Sequence, residues 1–209
     1  MRQFGWLLWI ILLLGCAPAT LLSDDFSQAN SERWRLEEDS YGRSVIHEGK
    51  LFVEVNQPNT MQYVTLQETE LLDFNLSVDA TLMSGSTSNS YGIVFRKQSL
   101  GGLYRFEITG DGDYMIERRD TDGLWTRLLT EGRWLKSDLI NQGVGATNRL
   151  GVTVNGNAAS FFINGEVVHS TDTFDSTHNR EGIIALDAGT FAQGNIQVAF
   201  DDLVILEPR

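Results

Sequence analysis

Residues 74–82 read FNLSVDATL and alternate apolar with polar side chains without a fault. Successive side chains of a β-strand point to opposite faces of its sheet, so one face of this segment is apolar and the other is polar. The apolar set is Phe74, Leu76, Val78, Ala80 and Leu82. The stretch therefore predicts a strand with one face buried in a core and the other in water.

Similar runs rich in Val, Ile, Phe, Tyr and Thr recur about every ten residues from residue 22 onward, with no helix-period segment of useful length. The further predicted strands are 43–47, 49–55, 61–67, 90–97, 102–109, 113–119, 124–130, 149–155, 158–163, 166–170, 182–188 and 195–206. Many short antiparallel strands in one chain are best accommodated by two packed sheets around a shared core. We therefore predict an all-β, two-sheet antiparallel jelly-roll sandwich.

Two kinds of local signal add detail to this fold. The pairs Asn155–Gly156 and Asn164–Gly165 each lie between apolar runs. They predict type I′ hairpin turns, because that turn needs positive φ at both central residues. The similar segments DDF at 24–26 and FDDL at 200–203 predict that the first and last strands lie side by side and close the domain.

The composition is that of one ordinary globular domain, with 42% hydrophobic and 21% charged residues in a chain of 209. Sixteen basic and 28 acidic residues give a net charge of −12 at pH 7. A phosphate backbone is bound by clustered Lys and Arg, and the sequence contains no such cluster. Nucleic acid is therefore excluded as a partner, and an anionic membrane surface should repel the domain.

The N-terminus has the parts of a secretion signal: a positive charge at Arg2, an apolar run over 6–14 and a small residue before Cys16. The apolar run is much shorter than the roughly 20 residues that a membrane-spanning helix needs. Cys16 is the only cysteine, so it cannot form an internal disulfide. These features predict an exported protein whose leader is removed. The alternative is an ordinary signal peptide in which the cysteine occurs by coincidence.

Residues 13–16, LLGC, resemble the lipobox of bacterial lipoproteins. The resemblance implies that residues 1–15 are cleaved off as a lipoprotein signal peptide. It also implies that Cys16, at the start of a short linker over 16–22, carries acyl chains such as palmitate. Two or three acyl chains hold a protein stably on a membrane. The implied protein is anchored to the outer side of the bacterial cell membrane or to the outer membrane, and residues 23–207 form its single domain.

Six short motifs follow one another along this domain. They are DDF at 24–26, YGIVFR at 91–96, YRFEI at 104–108, ATNRL at 146–150, FING at 162–165 and FDDL at 200–203. With these motifs the chain resembles the concanavalin A-like lectin and glucanase domains over about residues 22–207. More narrowly, it resembles laminin-G-like and keto-disaccharide hydrolase jelly rolls. Because this fold carries lectins, hydrolases and adhesion modules alike, the resemblance implies carbohydrate as a ligand class without deciding the activity.

A glycosidase needs two carboxyl groups facing one sugar, one protonated and one ionised. The family-sixteen hydrolases that the chain resembles carry the strand motif Glu-x-Asp-x-x-Glu, which is absent from this sequence. The nearest acidic segments, 37–39 and 68–70, are interpreted as surface acids. Neither a nucleophile elbow nor histidines at metal-ligand spacing occur. We therefore predict no catalytic residue.

The favoured function is thus a surface-exposed, lipid-anchored, non-catalytic module that binds carbohydrate or another extracellular ligand. Two alternatives stay open. One is a glycoside hydrolase or lyase that acts on keto-disaccharides or glucans, and the other is a structural or docking subunit that binds an envelope protein. The expected partners are the membrane, through the lipid on Cys16, and either a glycan or an envelope protein.

Three neighbouring predicted strands carry basic and acidic side chains on the face opposite their apolar residues. The predicted ligand-binding residues are Arg96, Arg105, Glu107, Glu117 and Arg119, with Trp125 and Trp134 at the margin. Planar hydrogen-bonding groups beside an aromatic ring suit the recognition of sugars. The alternative is an exposed sheet on which the five charged residues form cross-strand ion pairs, with Trp125 and Trp134 belonging to the core.

A calcium ion is the one cofactor considered. If the terminal strands pair, Asp25 and Asp201 come close enough to share Ca²⁺, as the resemblance to laminin-G-like domains implies. The alternative is that these carboxylates lie at a sheet edge in water, where they repel one another little. No other cofactor is expected.

Overall fold

The computed structural model of the chain describes residues 18–28, 32–129, 133–174 and 181–208. The predicted signal peptide and Cys16 lie outside these residues. Every element in the described part is a β-strand, and no helix there has the length and apolar character of a membrane span. The strands are β1 (Thr20–Asp24), β2 (Trp34–Arg35), β3 (Gly42–His47), β4 (Lys50–Val55), β5 (Met61–Leu71), β6 (Phe74–Gly85), β7 (Ser90–Lys97), β8 (Leu103–Thr109), β9 (Asp113–Arg119), β10 (Trp125–Arg127), β11 (Leu135–Lys136), β12 (Thr147–Asn155), β13 (Ala158–Ile163), β14 (Glu166–Thr171), β15 (Gly182–Gly189) and β16 (Ile196–Leu206).

The strands form two antiparallel sheets, which confirms the predicted architecture. The first sheet has the order β14-β13-β12-β6-β16-β4-β3, with β1 beside β16. The second sheet has the order β10-β9-β8-β7-β15-β5-β2, with β11 beside β9. The pairing of β1 with β16 joins Thr20 to Leu206 and Asp24 to Leu203, so the first and last strands do close the domain as predicted.

The core lies between the two sheets. All five apolar residues of the segment that predicted the first strand, 74–82, are fully buried, and its polar residues alternate with them at intermediate exposure. An aromatic cluster fills the space between the sheets, with ring centroids 4.8–6.2 Å apart. Its members are Phe95, Tyr104, Phe161 and Phe174. Each such side chain contributes roughly 1.5–3 kcal/mol of burial free energy, so this cluster fixes how the sheets pack.

One of the two predicted hairpin turns has the expected form and the other is shifted. Asn164 and Gly165 both have positive φ (53° and 86°) between the paired residues Ile163 and Glu166, as a type I′ turn requires. In the β12–β13 hairpin Asn155 is still paired with Ala158, so the central residues are Gly156 and Asn157. Of those two, Gly156 alone has positive φ, which is the type II′ pattern.

Candidate functional site

Three predicted site residues lie side by side on the outer face of the second sheet, the face turned away from the core. Arg105 and Glu107 project from β8, and Glu117 on the neighbouring strand β9 is directly paired with Arg105. Between them, Phe106 points into the core and is fully buried there. The period-two interpretation of these strands is therefore confirmed.

A second carboxyl group, which sequence analysis missed, lies beside Glu107. Asp187 on β15 and Glu107 on β8 are both paired with Gly92 of the strand between them, β7. Because Gly92 has no side chain, nothing separates the two carboxyl groups, and they interact directly across it. We call Glu107 and Asp187 the acid pair. The sequence signal for Asp187 is that it is the single charged residue of the otherwise apolar strand β15.

The acid pair is completely buried, and this changes its protonation. Burial raises the pKa of Asp187 well above its usual range, and the negative charge of Glu107 raises it further. Burial also raises the pKa of Glu107, although Arg105 and a hydrogen bond of 2.8 Å donated by Ser90 Oγ oppose the rise. Asp187 is the more strongly affected of the two, so it keeps its proton to a higher pH than an exposed carboxyl group does.

Arg105 lies over the acid pair and compensates its charge. Its Nε atom is 3.0 Å from Glu107 Oε2 and donates to Glu117 Oε1 at 2.5 Å. Its Nη1 atom lies 3.2 Å from the Sδ atom of Met61 on β5, so the side chain extends across the sheet. The ring of Trp125 stacks on the guanidinium, with 4.4 Å between Cζ and the ring centroid.

The site is therefore layered from the buried acids to the solvent. Glu107 is 0% exposed, the Arg105 side chain above it is 13% exposed, and Trp125 is 37% exposed. A shallow depression beside this stack is lined by Arg105, Glu117, Trp125, Thr126 and Arg127. A second depression, on the other side of Arg105, is lined by Asn59, Thr60, Met61, Ser90, Arg105, Gly189, Thr190 and Phe191. Trp125 is the most exposed group of the stack, and beneath it the side chains of Arg105 and Glu117, 13% and 8% exposed, are bonded to each other at the edge of the depression.

Residues 20–206 match the family model of the 3-keto-alpha-glucoside-1,2-lyase-like domain. The chain belongs to this family. A comparison with curated proteins gives no match.

The lyase-like domain also shares its fold with solved structures. A carbohydrate-binding module from Bacillus subtilis superposes with a TM-score of 0.65 at 12% identity, covering 84% of this chain and 96% of that one. A laminarinase from Flavobacterium sp. UMI-01 gives 0.63 at 13% identity, over 90% and 100%. A beta-glucanase from Bacillus licheniformis gives 0.62 at 9% identity, over 90% and 98%. At such low identity the likeness shows a shared concanavalin A-like jelly roll, as predicted.

Arg96 does not lie on the outer face of this lyase-like domain, contrary to the prediction. It has positive φ (50°), and β7 and β5 both shift register where they pair with β15 between Ile183 and Ala185. This irregularity interrupts the alternation of β7, so the Arg96 side chain is 1% exposed and lies 5.6 Å from the ring centroid of Phe174 in the core. Its Nη2 atom donates to the carbonyl of Leu72 at 2.9 Å.

The remaining predicted residues lie at the margin of the face. Arg119 is paired with both Leu103 and Trp125, and it donates from Nη1 to the carbonyl of Gly101 at 3.1 Å, which ties it to the β7–β8 loop. Trp134 packs edge-to-face on Phe191 with 6.1 Å between centroids. Both lie beside the Arg105 stack rather than within it.

The two predicted calcium ligands have protein partners. The Asp201 carboxylate accepts from Lys50 Nζ at 2.5 Å, and Asp25 Oδ1 accepts from the backbone N–H of Ser27 at 3.0 Å. Within the described residues no group of three or more His, Cys, Asp or Glu side chains is arranged to hold a metal ion. Calcium binding by Asp25 and Asp201 stays a prediction.

Proposed function

We propose that this protein is a carbohydrate-binding module whose ligand lies on the outer face of the second sheet, against Trp125, Arg105 and Glu117. The observation that carries the proposal is the stack of Trp125 on Arg105. It places a partly exposed aromatic ring beside planar donors and a carboxylate acceptor. An aromatic surface covers the apolar face of a sugar ring, while fixed donors and acceptors bond its hydroxyl groups.

The comparisons support a sugar as the ligand class. The family is named for a glucoside lyase, and the solved structures of the same fold include a carbohydrate-binding module. Another of them is LamA from Zobellia galactanivorans in complex with laminaritriose and laminaritetraose. A carbohydrate ligand for this chain is consistent with all three.

We further propose that the module is exported and held on the outer side of a membrane by acyl chains on Cys16. The basis is the lipobox-like LLGC at 13–16 and the absence of any other cysteine. The full chain has a net charge of −12 and gains no attraction from an anionic membrane surface, so the acyl chains would supply the attachment. Mass spectrometry of the protein isolated from membranes would show acyl chains on Cys16, and their absence would refute this part.

A glycan array probed with the detergent-solubilised full chain tests the binding proposal. The Trp125→Ala variant should bind about twofold to tenfold more weakly, since an aromatic contact contributes roughly 0.5–1.5 kcal/mol. The matched control is Tyr41→Ala, which removes an exposed aromatic ring just before β3, a strand of the first sheet, and should leave binding unchanged. Equal binding by the Trp125→Ala variant would keep a sugar ligand and discard this face. Absence of binding to every glycan on the array would favour a docking subunit instead.

The acid pair favours a second candidate function, a lyase acting on 3-keto-glucosides. A ketone at C3 acidifies the C2 proton of the sugar. Removal of that proton by the Glu107 carboxylate would form a C1=C2 double bond as the C1–O bond breaks. The protonated Asp187 would supply a proton to the departing oxygen. Two adjacent buried carboxyl groups with raised pKa values would provide both roles, one as the base and one as the acid. Arg105 covers Glu107, so a substrate would first have to displace it.

The two functions are separated by incubating the protein with a 3-keto-α-glucoside and following the release of the leaving alcohol by mass spectrometry. A lyase should turn over, and Glu107→Gln should reduce the rate at least a hundredfold, which lies within the range for loss of a general base. If the wild-type protein binds this sugar without cleaving it, the module is non-catalytic.

A further inference from the structure

A single row of paired residues crosses the whole second sheet. Successive pairings join Arg127 to Glu117, Glu117 to Arg105, Arg105 to Val94, Val94 to Ala185, Ala185 to Thr65 and Thr65 to Arg35. Directly paired residues project from the same face of a sheet, so all of these lie on the outer face. Neighbouring strands are about 4.8 Å apart, which makes the row roughly 29 Å long.

Trp125 and the Arg105 stack occupy only one end of this row. At the other end the surface forms an open depression of about 690 Å³, which we call the far depression. It is lined by Arg35, Glu37, Tyr63, Thr65, Glu70, Lys97, Gln98, Ser99, Leu100, Glu181, Gly182 and Ile183. Its volume is within the range of small-molecule sites, yet no part of the Arg105 stack lines it.

Tyr63 joins the far depression to the acid pair. It is paired with Asp187 on β15, and burial followed by the charge of Asp187 raises the pKa of its hydroxyl group. Its ring packs on the buried residues Val94 and Ala185 in the middle of the row, and Lys97 Nζ lies 5.8 Å from the ring centroid. Tyr63 therefore covers the buried middle of the row, so an aromatic ring lies near each end of it.

The charges of the far depression indicate which kind of ligand fits. Two basic side chains, Arg35 and Lys97, face three acidic ones, and Arg35 Nε is already 3.0 Å from Glu37 Oε1. The acidic side chains are Glu37, Glu70 and Glu181. Because acids outnumber bases, an anionic glycan would be repelled, whereas the amide, hydroxyl and carboxylate groups suit uncharged sugar hydroxyls.

We infer that the far depression is a second sugar subsite, and that the ligand is an uncharged oligosaccharide or polysaccharide chain laid across the strands from Trp125 to Arg35. This inference rests on the proposed carbohydrate-binding function and extends it from one sugar contact to a chain. A ligand of this length contacts both ends of the row at once, so its affinity increases with the number of sugar units until the row is filled.

The test compares a disaccharide with a hexasaccharide of the same linkage, for both β-1,3-linked and α-1,4-linked glucose, by isothermal titration calorimetry on the full chain in detergent. The hexasaccharide of at least one series should bind at least tenfold more tightly than its disaccharide. Ser99→Trp places a large ring in the far depression from an exposed loop residue. This variant should lose the gain in affinity with length and keep the disaccharide affinity.

The matched control is Asn157→Trp, which places the same ring on an exposed turn of the first sheet and should bind as the wild type does. Trp125→Ala should weaken both ligands. Equal affinity for the two lengths, or a gain that persists in Ser99→Trp, overturns the far subsite while the proposed function stands. Absence of binding by every oligosaccharide of both series overturns the inference together with its premise of glucan-type binding.

Discussion

The outer faces of the two sheets both carry arginine–carboxylate pairs, but they keep them in different surroundings. On the first sheet Arg149 Nη1 lies 2.9 Å from Asp79 Oδ1, and the two side chains are 38% and 30% exposed. On the second sheet Arg105 is 13% exposed and its partner Glu107 is 0% exposed. The nitrogen–oxygen distances of the two pairs are therefore similar, but the pair on the first sheet is in contact with water and the pair on the second sheet is part of a buried network.

This difference shows why the second sheet is the candidate site. Exposed ion pairs gain little because water screens them, and each contributes about 0–1 kcal/mol. A buried network depends on every member, because removal of one partner leaves an uncompensated charge. The second sheet thus keeps charged groups where folding alone would favour apolar ones, which is the usual sign of a functional site.

The largest expected effect is that of Arg105→Ala. The substitution leaves Glu107 and Glu117 without their cation in a buried site, so the free energy of unfolding should fall by roughly 3–5 kcal/mol. Urea unfolding followed by tryptophan fluorescence measures it. A loss below about 1 kcal/mol would mean that the network is solvated, like the pair on the first sheet.

Gly92→Ala should cause the second-largest loss in the free energy of unfolding. A Cβ atom at Gly92 would lie 2.0 Å from the carbonyl oxygen of Phe106 and 2.8 Å from Glu107 Cα. Overpacking of this kind destabilises a protein by about 1–3 kcal/mol or more. Gly151→Ala on the first sheet is the matched control, since its nearest neighbour would be Phe162 Cβ at 3.2 Å. Equal losses in the free energy of unfolding for the two variants would show that the short distance between Gly92 and the backbone of β8 does not add to the cost of a Cβ atom.

Asp187→Asn should change the pH dependence of stability. A carboxyl group whose pKa is raised in the folded state keeps a proton that the unfolded chain has released. The free energy of unfolding therefore falls as pH rises above the ordinary value of 3.8, by up to about 1.4 kcal/mol per pH unit, and levels off above the folded pKa. The asparagine side chain has a similar size but does not titrate.

Urea unfolding at a series of pH values from 5 to 9 checks this prediction. The wild-type protein should lose stability across the series, and the Asp187→Asn variant should lose less. Parallel curves for the two proteins would show that Asp187 is ionised in the folded state. The acid pair would then lack the protonated carboxyl group on which the lyase candidate depends.

The sequence predicted the parts of the molecule that depend on local alternation. The strand at 74–82 and the outward direction of Arg105, Glu107 and Glu117 all follow from period two, because nothing interrupts it there. Arg96 was predicted wrongly because its positive φ and the adjacent register shift break the period. Such an irregularity is set by the pairing with β15, which lies far away in the sequence.

Asp187 was missed for a related reason. It approaches Glu107 only because β15 pairs with β7, and strand order is decided by the packing of the whole sheet rather than by residues near Asp187. Gly92 lies between the two acids and has no side chain, so nothing in the sequence around it indicates that two carboxyl groups meet there. A motif with both carboxylates on one strand cannot describe a pair that comes from two strands.

The smallest expected effect is that of Arg149→Ala. The Arg149 side chain reaches Asp79, Ser77 Oγ at 2.8 Å and the carbonyl of Asp202 at 3.3 Å, yet it is 38% exposed, so water replaces these partners when it is removed. The free energy of unfolding should change by no more than about 1 kcal/mol, and less at high salt. Urea unfolding at low and high ionic strength, with Arg105→Ala measured beside it, gives the contrast directly. A loss as large as that of Arg105→Ala would mean that burial does not separate the two faces, and the case for the second sheet would then rest on the Trp125 stack alone.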